Sequence, residues 1–448
     1  MTPPFWTLDR IADALGDGPR GPTGLRGVTT DTRAIAVGDA FVALRGERFD
    51  AHDFVADAVR GGASALVVEH PERTSGLGVP VYAVDDTLVA LGALAAYRRK
   101  VWGRPVVAVA GSNGKTSTKE LVRSALGAAL AVHATQGNLN NRIGTPLTLL
   151  ALPDDADIAV IELGTNTPGE IAMLREIIRP DIAIVTSIAE EHLEGLGDLA
   201  GVLREESAVY DRVDLAIAPA GQPEIAAAAA GKARRVLTAG LDAGDVRPAR
   251  WGIAPDGLGW VEMDGVEVRP PLRGEHNLRN LMLALACASQ CGISIEAVAR
   301  AIAVMPVPAM RMAWESIGSA TLINDAYNSN PGSARAALEL LERSGAGRQR
   351  VAVLGTMREL GPAAGALHEE IARRALDSSI ELVAGVGDFA EALDRLGDGD
   401  RVVTAEDPEA LWPRLAKRLA PDAVILLKAS RGVRLERLVP HLTAWATR

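Results

Sequence analysis

The chain reads as an α/β protein of three domains. They are a small N-terminal α/β domain (1–84), a central parallel-sheet domain built round a glycine-rich loop (85–311) and a C-terminal Rossmann-like α/β domain (312–448). Three observations predict this. At 448 residues the chain has the length of about three domains. Short apolar, β-branched runs alternate with amphipathic helical patterns, as parallel sheets covered by helices require. An irregular Gly/Pro-bearing stretch, Asp242–Pro271, and a Pro306/Pro308 hinge at Met305–Met312 break the chain before its last third.

Taken in order, Ala40–Leu44, Ala65–Val68 and Val79–Val84 are the expected strands of the first domain, with a helix near Phe54–Arg60. A helix over Asp86–Lys100 leads into the second domain. There Val106–Ala110, Ile158–Glu162 and Ile182–Thr186 are expected as parallel strands, and the alanine run 226–230 as helix. Around Trp251 and Trp260 the pattern is β, giving way to a helix that starts near Asn277. In the third domain Ala320–Asn324, Arg350–Leu354, Leu382–Val386 and Ala423–Lys428 alternate with helices such as Ser333–Arg343.

Composition narrows the class. Hydrophobic residues make up 48% of the chain and charged residues 23%, enough for sizeable cores under a polar surface. No run approaches the roughly 18 apolar residues of a membrane span. The start, Met1-Thr2-Pro3-Pro4-Phe5-Trp6, lacks a basic region followed by an apolar one, so no signal peptide is expected. Cys287 and Cys291, with no companion ligand, are expected as core thiols in a reducing compartment. A net charge of −10 argues against a general nucleic-acid binder but leaves an anionic substrate open, because local fields decide that. Lysine is scarce, six against 41 arginines, which draws notice to Lys115 and Lys428 in their glycine- or serine-bearing turns.

The most informative stretch is Val106–Thr118. A buried-strand pattern breaks into Gly111-Ser112-Asn113-Gly114 and resumes as helix at Lys115-Thr116-Ser117. Strand, glycine turn and helix start form an anion cradle: backbone N–H groups and the positive helix end face phosphate, a lysine neutralises its oxygens, and a threonine hydroxyl can ligate Mg²⁺. Val109 stands where the first glycine of a full Walker A motif belongs. Glu162 and His192 follow the next parallel strands, at the carboxyl ends where open α/β sheets bind ligands. A hard cation bridging phosphate oxygens would take Thr116 and Glu162 as ligands. Between them, Asn138, Asn140 and Asn141 concentrate uncharged donors and acceptors in one loop, suited to positioning a substrate.

These residues resemble the Mur ligase family. Gly111–Thr116, Gly137–Asn141, Ile161–Gly164, Pro168–Ile171 and His192–Gly195 are similar to its central ATPase domain. Thr30-Asp31-Thr32-Arg33, Gly38–Leu44 and Gly46–Phe54 resemble its uridine-nucleotide-binding domain, with Thr30, Asp31, Arg33 and Gly46 as implied substrate contacts. Asn324–Pro331 and Lys428–Arg431 resemble the domain that binds the incoming amino component, which implies roles for Asn328, Lys428 and Ser430. Asn277 and Asn280 match the helix start near adenine, while Arg311 and Asp325 are implied to reach ATP from the domain junction.

The resemblance implies an ADP-forming ligase of the bacterial cytoplasm, a monomer without membrane insertion. It would phosphorylate the terminal carboxylate of a UDP-N-acetylmuramoyl-tripeptide and join D-alanyl-D-alanine to it, using ATP and Mg²⁺. Absence of an Asp-Asn-Pro-Arg motif and presence of Asn324–Pro331 favour this dipeptide-adding member over the one that adds a single third residue. A scaffold that has lost ligase activity is the rival from another class. Implied catalytic residues are Lys115, Glu162, His192 and Glu206, with Thr116, Glu162, His192 and Glu206 as metal ligands.

Glu206 is a departure, since the family carries a carbamoylated lysine there, and surface-helix charge is its competing reading. Arg204, at a neighbouring lysine's position, stays protonated and cannot substitute. Ser187 replaces an asparagine, Thr356 an aspartate, and Asn324 the first of two aspartates.

Overall fold

The computed structural model describes residues 4–46, 49–345, 347–397 and 399–447. Met1–Pro3, from the stretch read for a leader, and Glu47 and Arg48, from the Gly46–Phe54 match, lie outside the described residues. Residues 1–108, 130–164 and 170–181 form one compact unit; 109–129, 165–169 and 182–448 form another. Both are mixed α/β with parallel sheets, as the sequence predicts.

In the first unit, strands Val28–Thr29, Ala40–Val42, Ala65–Val68 and Val81–Ala83 pair in parallel in that order. Successive side chains alternate across the sheet. Ala40, Val42, Ala65 and Val67 therefore pack with Ile11 and Leu91 of helices Leu8–Leu15 and Thr87–Trp102. Phe41, Leu66 and Val68 pack on the other face with Val55 and Ala58. Asp86 starts the long helix by accepting the Leu88 and Val89 N–H groups (2.7 and 2.9 Å), and Gly103, left-handed at φ +69°, ends it. The strand expected over Val79–Val84 is shorter because Pro80 has no N–H to give the ladder. Strands Val132–Ala134 and Ile158–Glu162, parallel to each other, complete the unit with helices Gly144–Leu150 and Glu170–Ile178.

In the second unit, strands Ile182–Val185, Leu215–Pro219 and Arg235–Ala239 are parallel neighbours. Strand Val106–Ala110 crosses the division between units, and its end meets this sheet where Thr186 N–H donates to Ala110 O (3.0 Å). Helix Lys115–Leu126 packs along helix Glu275–Gln290, which begins two residues before the expected Asn277. The stretch around Trp251 and Trp260 is β as expected, a three-stranded antiparallel sheet of Arg250–Ile253, Gly259–Met263 and Val266–Val268.

The C-terminal sheet has the order Ala313–Ile317, Ala320–Asp325, Val424–Lys428, Arg350–Gly355, Leu382–Val386, Val402–Ala405. Its pairs are parallel except for the first, an antiparallel edge strand that the sequence reading did not assign. Helices Pro331–Arg343, Ala364–Leu376 and Asp388–Leu396 cover one face; Pro408–Leu415 and Leu438–Ala446 cover the other. The carboxyl ends of Ala320–Asp325, Val424–Lys428 and Arg350–Gly355 consequently open side by side.

Candidate active site

The glycine-rich loop is held by backbone and hydroxyl bonds to the segment after strand Ile182–Val185. Ser112 N–H donates to Ser187 O (2.8 Å), and Thr186 Oγ1 donates to Asn113 O (2.6 Å). Asn113 N–H donates to Ser187 Oγ (3.1 Å), so this serine grips the loop. Ser112 Oγ accepts the Ala189 N–H (2.9 Å). Two glycines are sterically required. Gly111 sits at φ +115° with room for a Cβ only 2.7 Å from Thr186 N, and Gly114 at φ +81° with Asn280 Nδ2 2.7 Å from a Cβ. Helix Lys115–Leu126 then presents its N-terminus, with Thr116 and Ser117 buried in the first turn.

Four further groups gather on the loop. Lys115 Nζ donates to Gly111 O and to Ser112 O (3.3 Å) and lies 3.8 Å from Glu191 Oε1. Glu206 is fully buried, so the surface-helix reading of it is wrong. Its Oε2 accepts the Gly111 N–H (2.7 Å), while its Oε1, also buried, has no hydrogen-bond partner among the described residues. Burial pushes the Glu206 carboxyl up to about 7, against the pull of Lys115 and with a further push from Glu191. Glu191 is likewise raised by burial, opposed by Lys115 and His192.

His192 occupies left-handed backbone at φ +50°, uncommon for a side chain of its size. Its Nδ1 contacts Glu359 Oε2, and its Nε2 lies 3.7 Å from Glu191 Oε2. Burial works against its charge, but Glu359 and Glu191 outweigh that and hold its pKa above the ordinary value. Glu359, also left-handed at φ +64°, is held below the usual carboxylate range chiefly by that bond to His192. Sequence reasoning missed Glu191 and Glu359. The first lay in plain view in the acidic turn Glu190–Glu194; nothing local marks the second.

From the C-terminal sheet, Asn330 Nδ2 donates to Asn113 Oδ1 (2.9 Å), placing the Asn324–Pro331 run against the loop. Lys428, almost wholly buried, is committed to Asp325 Oδ2 (2.7 Å) and Asn328 O (2.7 Å). Asp325 Oδ1 also accepts the Met312 N–H (3.0 Å), and Arg311 lies over the Tyr327 ring at 4.2 Å. Ser430 Oγ accepts the Arg358 N–H (3.0 Å), and Asn328 is exposed. Thr356 Oγ1 accepts the Asp388 N–H (3.0 Å) at a helix start, and Asn324 is buried. Asn277 Nδ2 donates to Arg273 O (2.8 Å), and Asn280 bonds Asn277 (3.3 Å). Beside them a cavity of about 430 Å³ is walled by Ile253, Pro255, Gly274, His276 and Leu340. Burial lowers the His276 pKa, and Glu275, Arg279, Glu339 and Arg343 stand on the same cavity's wall.

In the first unit, buried Glu162 accepts from Asn140 Nδ2 through Oε1 (2.8 Å), and its N–H donates to Thr135 Oγ1 (3.0 Å). Asn141 Oδ1 accepts the Ile143 and Gly144 N–H groups (3.1 and 2.9 Å), whereas Asn138 is exposed. Asp31 and Arg33 form a two-point ion pair (2.9 and 2.8 Å) that holds Asp31 down at about 2; Thr30 is half-buried and Gly46 exposed nearby in sequence.

Residues 109–288 match the model of the Mur ligase middle domain, residues 310–431 that of the Mur ligase glutamate ligase domain, and residues 25–99 that of the Mur ligase family catalytic domain. The chain belongs to the Mur ligase family. Within it, the chain is 36% identical to the UDP-N-acetylmuramoyl-tripeptide–D-alanyl-D-alanine ligase of Escherichia coli, over 97% of this chain and 98% of that one. The ligase of the same name from Bacillus subtilis is 33% identical, over 94% and 93%. Among solved structures, MurF from Acinetobacter baumannii superposes with a TM-score of 0.90 at 31% identity, covering 98% of this chain and 99% of that one. MurF ligase from Thermotoga maritima, solved in complex with ADP, gives 0.84 at 26% identity, covering 94% and 98%.

Proposed function

We propose that this chain is the ATP-dependent ligase that joins D-alanyl-D-alanine to a UDP-N-acetylmuramoyl-tripeptide, the last cytoplasmic step in making the pentapeptide precursor of peptidoglycan. The carrying observation is the loop Gly111–Ser117 with Lys115 at its mouth, in a chain similar over nearly its whole length to ligases named for that reaction. We assign the three domains as 1–84 for the UDP-sugar peptide, 85–311 for ATP and 312–448 for the dipeptide.

The chemistry follows from charge. A carboxylate is a poor electrophile, and the γ-phosphoryl group of ATP turns one of its oxygens into a leaving group. The dipeptide amine then attacks the acyl phosphate, and the tetrahedral intermediate collapses to amide and inorganic phosphate. Bringing two anions together needs cations at the point of transfer, a role for Lys115 and Arg311. Adenine fits the cavity beside His276, with Asn277, Asn280 and Asp325 completing the nucleotide site. The UDP-sugar peptide falls to Thr30, Asp31, Arg33, Gly46, Asn138, Asn140 and Asn141, and the dipeptide to Asn328, Ser430 and, through its grip on Asn328, Lys428.

No group of three or more His, Cys, Asp or Glu side chains is disposed to hold a metal among the described residues. Mg²⁺ suits such a site, because it keeps few protein ligands and takes the rest from phosphate and water. The unpartnered, buried Glu206 Oε1 is a hard oxygen donor of the kind it selects. In the second unit Thr116, His192 and Glu206 would hold the ion, and Glu162 of the first unit is assigned on its sequence motif. When bound, the ion neutralises phosphate charge.

Phosphate release from ATP tests the reading. It is expected only with both the UDP-tripeptide and D-alanyl-D-alanine present, and to fall about 10³-fold in Lys115→Ala. Release indifferent to the dipeptide would return the chain to the scaffold reading.

A further inference from the structure

A second cavity, about 510 Å³, opens on the first unit. Its size falls within the roughly 300–1,000 Å³ of small-molecule sites. The wall brings together the entry to helix Leu8–Leu15, the end of helix Thr87–Trp102 and the loop leading into strand Ile158–Glu162. Asp154 precedes that strand and Glu162 closes it. The cavity therefore lies toward the strand's amino end, with about 13 Å of strand between it and Glu162.

The wall is basic: Arg10, Arg98 and Arg104 line it against a single carboxylate, Asp154. Arg10 and Arg98 share one ring, their guanidinium carbons 4.4 and 4.0 Å from the Phe5 centroid. Arg98 Nη2 donates to Leu152 O (2.5 Å) and Asp154 Oδ1 (2.6 Å). Arg10 Nη1 donates to Phe5 O (2.5 Å), and Arg10 has no carboxylate partner among the described residues. Arg104 Nη1 donates to Ala156 O and stands 3.6 Å from Asp157 Oδ1. A guanidinium carries five N–H donors, and these bonds use one terminal nitrogen of each fork, so most of the donors are unspent.

Arg98 is only 4% exposed, a charge built into the wall rather than laid on it. Burial lowers its pKa and the charge of Arg10 adds to that, while Asp154 opposes both. The carbonyl end of helix Thr87–Trp102 brings about half a negative charge, which three guanidiniums outweigh. Phe5, Val101 and Trp102 make the remaining wall apolar.

We infer that this cavity binds a small molecule with a flat apolar body and one acidic oxygen group, a carboxylate or a phosphate monoester, outside the three substrate sites. The acidic group takes the open forks of Arg10 and Arg98, whose planar geometry matches such an oxyanion. The body lies along Phe5, Val101 and Trp102.

The test measures binding to the full chain by calorimetry, with 1-naphthoate and 1-naphthyl phosphate as probes and 1-naphthamide as the uncharged control. At least one acid is expected to bind about 10-fold or more tighter than the amide, the span of a hydrogen bond to a charged group. The tighter acid names the head group. Arg10→Ala is expected to reduce that preference to a few-fold. Val101→Glu, at a position 46% exposed, sets a repelling carboxylate on the wall. It is expected to weaken the acids about 10-fold and to change the amide little. Both variants are expected to bind ATP within about two-fold of wild type, because the sites are separate. Acids that bind no tighter than the amide, or an acid preference that survives both substitutions, would overturn the assignment. Displacement of the probes by ATP, UDP-tripeptide or D-alanyl-D-alanine would do the same.

Discussion

Glu206 brings a carboxyl group of the chain's own to the Gly111 N–H, where relatives are expected to carry a carbamate. Because a carbamate forms from dissolved CO₂ and a glutamate does not, wild-type turnover is expected to be unchanged when bicarbonate is stripped or added. Phosphate-release assays in degassed buffer check it. Removing the charge, in Glu206→Ala, is expected to cost about 10²-fold or more in kcat. Its raised pKa gives a second expectation. A carboxyl whose folded pKa lies near 7, against about 4.3 unfolded, binds its proton more tightly when folded. Its contribution to stability is present below the unfolded value and is lost as pH rises toward 7. Glu206→Gln, neutral throughout, keeps the Gly111 bond without that loss. In nucleotide-free protein, melting temperatures of variant and wild type are therefore expected to diverge in the variant's favour as pH rises from about 4.3 to about 7, and to keep a constant gap above that.

Among elements, helix Lys115–Leu126 depends on its approach. Gly114 meets the Asn280 amide so closely that Gly114→Ala must turn that side chain aside or distort the loop. With the added strain of a side chain at φ +81°, the cost is about 1–3 kcal/mol, read as a lowered denaturation midpoint. The residue that caps helix Pro331–Arg343 has two duties. Asn330 caps it by accepting the Ser333 N–H (2.8 Å) and also reaches Asn113. Asn330→Ser preserves capping and removes the reach, so it is expected to leave stability within about 0.5 kcal/mol and to raise KM for ATP. Asn330→Ala is expected to lose about 1 kcal/mol as well.

Across the whole molecule, what the sequence made legible was the buried parallel framework. Val106–Ala110, Ile158–Glu162 and Leu382–Val386 fall within the expected bounds, because a strand buried on both faces must be apolar along its length. The edge strand Ala313–Ile317 carries exposed Glu315 and Ser316 and is specified by its partner rather than by its own composition. Helix Leu8–Leu15 lies in a stretch too short and too charged to stand out. The site divides in the same way. Loop glycines, Lys115 and Thr116 announce themselves by spacing. The burial of Glu191 and Glu206 and the left-handed turns at His192 and Glu359 arise only once distant elements meet.

The scarcity of lysine has a practical use. Of six lysines, Lys119 and Lys428 are buried, Lys115 is mostly covered, Lys232 is half-buried, and Lys100 and Lys417 are exposed. An amine-directed reagent therefore reports on few positions. Protection of Lys115 by added nucleotide becomes a footprint that one peptide in a mass spectrum can follow, with Lys100 and Lys417 as internal standards.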